Sequence, residues 1–363
     1  MLSKSKSTNK KILFLSPYPH GSAAGQRFKF ENMFEALHKE DYLIHQSSFL
    51  DLNTWNILYE PGNLVRKFKG FLKGYFKRLL DLFRIKNYDY VYIYLWGTPR
   101  GIPIYEFILR LLSKKIILDI DDEVFKATSI LSSFTSSNRK SNFLTKHCDA
   151  VVHTSEFSSN QCRDINFMSN SYFIPCSMDM SRYEQKKFFD INKRKIVLGW
   201  TGTFSSKIYL DSIKNALIEL DNYVDFKLVL ITNFDYKIDL KDVEIIYWNK
   251  ESEIKDLLKF DIGLYPILFD DWGLSKGGLK VQQYMSMGIP SVCTNHGAAC
   301  SFIANKHNGF LVNSESEWVD TLRNLIHEPS LIKRIGLNAR TYAEENFSIS
   351  KICSKYLSVL EEI

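Results

Sequence analysis

Short apolar runs separated by glycine- or proline-bearing loops set the rhythm of this chain. KKILFLSPYP reads as a strand that breaks at Pro17 and Pro19; the loop HGSAAGQR follows, then the helical pattern FKFENMFEALHKE. Strand, loop and helix in that order open a parallel sheet. YDYVYIYLW, KKIILDID, CDAVVHTS and SYFIPC repeat the strand. Their apolar residues are consecutive, not alternating, which predicts strands buried on both faces. Around 180–194 the chain becomes charged, and KIVLGWTGTFSSK then opens a second series. DFKLVLITN, VEIIYWN, FDIGLYPI, IPSVCTN and NGFLVN are its further strands, with helices expected over 207–220, 251–259, 278–287, 315–327 and 330–345. The pattern predicts two alternating α/β halves joined near residue 190. Ligands of such sheets lie outside the carboxyl ends of the strands, so the site is expected in the cleft between the halves.

Composition narrows this picture. The 363 residues suit two domains, and 45% hydrophobic residues can fill both cores. Net charge is only +6, but the basic residues cluster. VRKFKGFLKGYFKRLLDLFRIKN, residues 65–87, carries Lys or Arg at 66, 67, 69, 73, 77, 78, 84 and 86 among aromatic and leucine residues. This reads as a basic amphipathic helix suited to an anionic membrane surface. No nucleic-acid recognition module accompanies it. The six cysteines form no CxxC or zinc-type spacing, and the start MLSKSKSTNK is polar. These features predict a cytoplasmic protein with free thiols. HExxH is absent.

Two glycine-marked stretches in the second half suit a phosphate. In LGWTGTFSSKIYL, Gly199 and Gly202 permit close backbone approach, and Thr203 and Lys207 precede and open a helix. In GLSKGGLKVQQYMSMGIPSV, Gly277 and Gly278 free the backbone before a helix; the amides of Gly278 and Leu279 would meet an anion beside Lys276. Leu279, Val281, Tyr284 and Met285 would face the core and Gln283 the cleft mouth, where its amide suits ribose hydroxyls. In the first half, Asp119, Asp121 and Asp122 end a strand and offer carboxylates for a base or a metal. In YLWGTPRG, Trp96 suits stacking on a sugar and Arg100 a phosphate. His153 reads as structural, whereas His20 and His296 lie in loops nearer the expected cleft.

GLKVQQYMSMGIPSV resembles the nucleotide-binding helix of family 4 glycosyltransferases, which have the GT-B fold. KIILDIDDEVF, CDAVVHTSEF, YFIPCSMDMSRY, LGWTGTFSSKIYL, NGFLVNSESEWVDTLRNLI and RIGLNARTYAEENFS resemble further parts of that family in order. The resemblance implies two Rossmann-like domains facing across a cleft. The N-terminal one, 1–185, would bind the acceptor; the second, 190–345, would bind a nucleotide sugar; a last helix, 346–363, would cross back. It implies retaining glycosyl transfer from a nucleotide diphosphate sugar to a hydroxyl of a glycan or lipid-linked glycan, as in bacterial surface polysaccharide synthesis. No cofactor or metal is implied beyond that co-substrate. The family carries two glutamates eight positions apart where this chain has Ser275 and Gln283, and it resembles the branch with glutamine at the second. Lys207, Lys276 and the amides of Gly277 and Gly278 would stabilise the leaving diphosphate. Asp121 or Asp122 would contact the acceptor or orient a neighbour. Gly21, Gly25 and Arg27, in SPYPHGSAAGQRFKF, would face the cleft. The alternatives are a non-catalytic homologue that binds nucleotide sugar or glycan, and a GT-B nucleotide-sugar epimerase.

Overall fold

A computed structural model defines residues 9–99, 101–121, 138–165, 170–188 and 191–363. Contacts divide the chain into two units: Met1–Ser177 with Ile349–Ile363, and Met178–Ser348.

In the first unit, β1 (Lys11–Ser16), β2 (Leu43–Ser48), β3 (Tyr90–Tyr94), β4 (Lys115–Ile120), β5 (Ala150–His153) and β6 (Asn170–Phe173) form one parallel sheet in the order β2-β1-β3-β4-β5-β6. Alternate side chains leave opposite faces. Ile12, Phe14, Tyr90 and Tyr92 meet one core, and Leu13, Leu15, Val91 and Ile93 the other. The final helix, Ile349–Glu362, covers the first face with Ile352, Tyr356, Val359 and Leu360. Under it, Lys29 and Asp119 form a fully buried ion pair at 3.1 Å, and Tyr92 and Tyr356 donate to Asp119. Asp119 is therefore a core residue, not a free carboxylate of the DIDDEVF cluster. β6 is only half-buried, because as an edge strand it has a neighbour on one side alone.

Residues 65–87 form the helix Leu64–Arg84 and a closing 3₁₀ turn, Ile85–Asn87. Its buried stripe is Gly70, Gly74, Arg78 and Asp81. The two glycines permit contact, since a Cβ on Gly70 would lie 2.1 Å from the Thr54 hydroxyl and one on Gly74 2.7 Å from the Phe49 carbonyl. Arg78, read from sequence as a surface charge, is fully buried. It donates to the carbonyls of Ser16, Ser47 and Gly97 and pairs with Asp81 at 3.1 Å. Its charge-assisted bonds satisfy carbonyls where strands end.

In the second unit, β7 (Ile196–Gly202), β8 (Phe226–Thr232), β9 (Val243–Tyr247), β10 (Ile262–Tyr265), β11 (Ser291–Thr294) and β12 (Phe310–Val312) form a parallel sheet ordered β12-β11-β10-β7-β8-β9. The helix Glu315–His327 begins where Ser314 accepts from the Glu317 amide, and Pro329 opens the next, Pro329–Asn346. The single helix expected over 207–220 is two, Lys207–Asp211 and Lys214–Asp221. Ile213 leaves helical geometry between them (φ −112°, ψ 8°), and the Ser212 hydroxyl bonds back to the Tyr209 carbonyl. The units part after Ser177, earlier than the composition change suggests. Residues 178–188 belong with the second unit: the Lys186 amide donates to the Met287 carbonyl at 2.7 Å, and Arg340 donates to the Tyr183 carbonyl at 2.6 Å.

Candidate functional site

Each sheet has one place where successive strands leave in opposite directions, between β1 and β3 in the first and between β7 and β10 in the second. A crevice opens at the carboxyl ends of strands at such a switch point, where backbone amides are free to meet a ligand. The order of the second sheet, counted β9-β8-β7-β10-β11-β12, is the 3-2-1-4-5-6 order of dinucleotide-binding sheets. Gly202 ends β7, and Thr203 and Lys207 lie in the segment that follows it; Ser275, Lys276, Gly277 and Gly278 lie in the segment between β10 and the helix Leu279–Ser286.

The helix Leu279–Ser286 follows Gly278, whose φ of +69° is strained for any residue with a Cβ. The first intrahelical bond runs from the Gln282 amide to the Gly278 carbonyl at 3.1 Å. The amides of Leu279, Lys280 and Val281 therefore have no helical acceptor and point beyond the helix start. Gln282 folds back, its side chain donating to the Gly277 carbonyl at 3.0 Å. It holds the glycine loop in shape. Gln283 is not at an open mouth: it is 4% exposed and donates to the Tyr183 hydroxyl at 3.2 Å and to Glu253 at 3.4 Å. Ser275 is also buried, and its hydroxyl donates to the Trp272 carbonyl three residues earlier. The two positions named by the glutamate pattern thus carry inward-facing side chains.

The lysines lie differently. Lys276 sits over the Trp272 ring, 4.5 Å from its centre. Lys207 pairs with Asp211 at 2.6 Å and lies over Tyr236, whose hydroxyl also donates to Asp211. A half-exposed pair four residues apart on one helix is worth about 0.5 kcal/mol. A charge-assisted bond to a phosphate, at about 1.5–3 kcal/mol, outweighs it. Lys280 was not singled out by the sequence pattern. It is partly buried, 4.8 Å from the centre of the Trp200 ring. Burial and then the neighbouring charge of Lys276 push its pKa down to about 7. The available signal was its place in the first turn after the glycine pair.

The glycines of β7 serve packing. A Cβ on Gly199 would lie 1.9 Å from the Phe260 ring, and one on Gly202 2.4 Å from Trp200 and 2.5 Å from the Ser206 hydroxyl. Their vacant space is filled by side chains of this unit, which corrects the expectation of ligand approach at Gly199. Thr203 shares a hydrogen bond with Ser205 at 2.9 Å and stays exposed.

In the first unit the structure brings Gly25, Asp121 and Tyr94 together. Tyr94 donates to Asp121 at 2.9 Å, and a Cβ on Gly25 would come within 2.6 Å of that hydroxyl and 2.7 Å of that carboxylate. Burial and then Asp121 push the Tyr94 pKa well up, so it remains a donor. The loop after β1 is pinned by Glu31, which accepts from the Gly21 amide, Gln26 and Gln46. Gly21 needs its flexibility there, with φ +72°. Arg27 is nearly buried, its guanidinium over the Phe28 ring. Trp96 is partly exposed and meets Phe49 edge-on, with ring centres 5.5 Å apart, which occupies part of the surface expected for sugar stacking. Arg100 and Asp122 lie outside the described residues. His153 is buried against the Ser171 hydroxyl, and burial followed by the Lys29 charge lowers its pKa to about 3. It stays neutral and structural. Among the described residues, no cluster of acids, histidines and cysteines has metal-ligand geometry.

Residues 195–328 match the family described as "Glycosyl transferases group 1". The alpha-1,3/1,6-mannosyltransferase of Dictyostelium discoideum is 21% identical over 259 residues, which cover 64% of this chain and 60% of that protein. The sucrose-phosphate synthase of Thermosynechococcus elongatus has a similar structure, with TM-score 0.71 at 13% identity over 97% of this chain and 98% of that one. The Anabaena HepE protein in complex with UDP gives TM-score 0.70 at 15% identity, over 97% of this chain and all of that one. The fold is α/β with two Rossmann-like parallel sheets, and its structural neighbours are GT-B glycosyltransferases.

Proposed function

We propose that this chain transfers a sugar from a nucleotide diphosphate sugar to a hydroxyl of a glycan or lipid-linked glycan. One coincidence carries the reading. Lys207 follows β7, and Lys276, Lys280 and the open amides follow β10, the two strands at the switch point of the second sheet, and the same stretch, 195–328, matches a glycosyltransferase family. The amides of Leu279 and Lys280, with Lys276, Lys280 and Lys207, would hold the diphosphate. As the sugar leaves, charge grows on that diphosphate, and fixed cations and dipoles stabilise it without a metal. The UDP complex of the Anabaena neighbour supports a nucleotide donor. Asp121, held by Tyr94, would meet or orient the acceptor hydroxyl. Retention, membership of family 4 and a role in bacterial surface polysaccharide synthesis rest on the motif resemblance. A lipid-linked acceptor would be met at the cytoplasmic face of an anionic membrane, with residues 65–87 as contact. Among the described residues no helix is long and apolar enough to cross a membrane.

A second reading, a binding protein without turnover, is favoured by the buried Ser275 and Gln283, which offer no carboxylate where the family has two. A thermal-shift panel of nucleotide sugars and nucleoside diphosphates tests the site. A ligand that binds only folded protein raises its melting temperature. Stabilisation by one donor, lost in Lys207→Ala/Lys276→Ala, is the expected result. No shift with any nucleotide would overturn the assignment.

A further inference from the structure

The helix Leu64–Arg84 is inverted. Small and polar residues line its buried side, and eight large apolar side chains between Leu64 and Phe83 stand 50–86% exposed on the other. The helix Ile104–Leu112 packs beside it and repeats the pattern. Tyr105 and Leu109 face the sheet, whereas Ile104, Phe107, Ile108 and Leu111 are 36–68% exposed at helical spacing. Leu82 and Ile85 of the first helical segment meet the same core as Tyr105 and Leu109, so both helices cover one face of the sheet and both apolar stripes point away from it. Contiguous exposed apolar surface of this kind marks an interaction site.

Charge identifies the occupant. Arg66, Lys69 and Lys73 flank the first stripe and line a groove of about 580 Å³ with Asp51, Asn53 and Asn56. Lys73 pairs with Asp51 at 2.8 Å. The acids of the two helices, Asp81 and Glu106, are both fully buried, so neither helix presents an exposed carboxylate. Asp51, the acid of this groove, is already paired with Lys73, so a second copy of this face would bring more cations than acids to neutralise them. An apolar stripe with a cationic border matches the boundary between acyl chains and anionic headgroups.

We infer that the first unit docks on an anionic lipid bilayer through a platform of these two helices, with the apolar stripes in the acyl boundary and the groove at Arg66, Lys69 and Lys73 receiving a headgroup phosphate. The inference extends the membrane part of the proposed function to a second helix and a headgroup groove, and vesicle binding is measured without any sugar transfer.

Co-sedimentation with vesicles of phosphatidylcholine alone, or with added phosphatidylglycerol, is the test. Wild type partitions onto the anionic vesicles, less so at high salt. Lys69→Glu/Lys73→Glu lowers the partition coefficient by about tenfold or more, at about fivefold per basic residue. Phe68→Glu/Phe76→Glu lowers it at least as far, and Phe107→Glu/Leu111→Glu does the same from the second helix. All variants keep the wild-type melting temperature and nucleotide-induced shift, which separates this result from a failure of the glycosyltransferase reading. Absence of binding to anionic vesicles, or apolar variants that bind like wild type, overturns the inference. A wild-type dimer made monomeric by Phe76→Glu overturns it in favour of a second copy.

Discussion

Lys280 offers the sharpest test of the diphosphate site, because its two linked effects have opposite sign. In the folded protein its pKa is lowered to about 7 by burial and by Lys276; the unfolded chain keeps the ordinary 10.5. From pH 7 to 10.5 the unfolded state holds the extra proton, so the stability of the ligand-free protein rises with pH. Nucleotide affinity runs the other way, since a diphosphate needs the ammonium. With a free-state pKa of about 7, the proton must be taken up on binding, and the apparent dissociation constant rises about twentyfold between pH 7.5 and 9. The diphosphate of UDP is ionised across that window, and any ionisation of the uracil toward pH 9 is common to all three proteins, so the difference in slope belongs to the protein. Lys280→Gln removes the charge at every pH and weakens UDP by about 10- to 150-fold at pH 7, the value of one charge-assisted bond. Lys280→Arg keeps the charge and flattens the slope, because a guanidinium does not titrate here. Isothermal titration of UDP into the three proteins at four pH values reads all of this. Equal slopes in wild type and Lys280→Arg, or Lys280→Gln within twofold of wild type, would refute the placement of Lys280 on the diphosphate.

Other predictions follow from single contacts. Asp211→Asn releases Lys207 from its 2.6 Å pair and tightens UDP by about twofold, measured by the same titration. Gly199→Ala, whose Cβ would lie 1.9 Å from Phe260, costs about 1–3 kcal/mol in urea unfolding, partly restored by Phe260→Leu; an unchanged midpoint would contradict the packing role. Arg78→Met leaves three strand-end carbonyls without their donor and Asp81 without one cation, and costs about 3–5 kcal/mol at constant m-value. Asp121→Asn lowers sugar transfer while UDP affinity stays within twofold, because Asp121 belongs to the first unit and the diphosphate lysines to the second.

The sequence pattern made the strands legible wherever apolar runs were continuous, because a parallel strand covered on both faces has no polar position to confuse the reading. The helix Glu315–His327 was legible to the residue, since Ser314 and the apolar spacing mark both ends. The glycine-announced helix at 279 was legible for the same reason. Gly199 was misread because a small residue looks alike whether a ligand or Phe260, sixty-one positions away, fills its space. Arg78 was misread because its partners are carbonyls of three distant segments, and carbonyls leave no trace in sequence. The apolar face of Leu64–Arg84 stands exposed, as the amphipathic surface helix read over 65–87 requires; that Gly70, Gly74, Arg78 and Asp81 form its packed side was not legible, because spacing fixes two faces and does not say what lies beneath. Lys280 was passed over because its environment depends on Trp200 and Lys276, which only the folded unit brings around it.

The most direct measurement mixes the protein with the nucleotide sugar that stabilises it and a panel of oligosaccharide acceptors, and follows both partners by mass spectrometry and proton NMR. The account predicts that one acceptor gains a single sugar residue, that the nucleoside diphosphate is released in equal amount, and that the new bond keeps the anomeric configuration of the donor. A donor that is bound and never consumed would contradict it, as would one converted to a different sugar with no acceptor present.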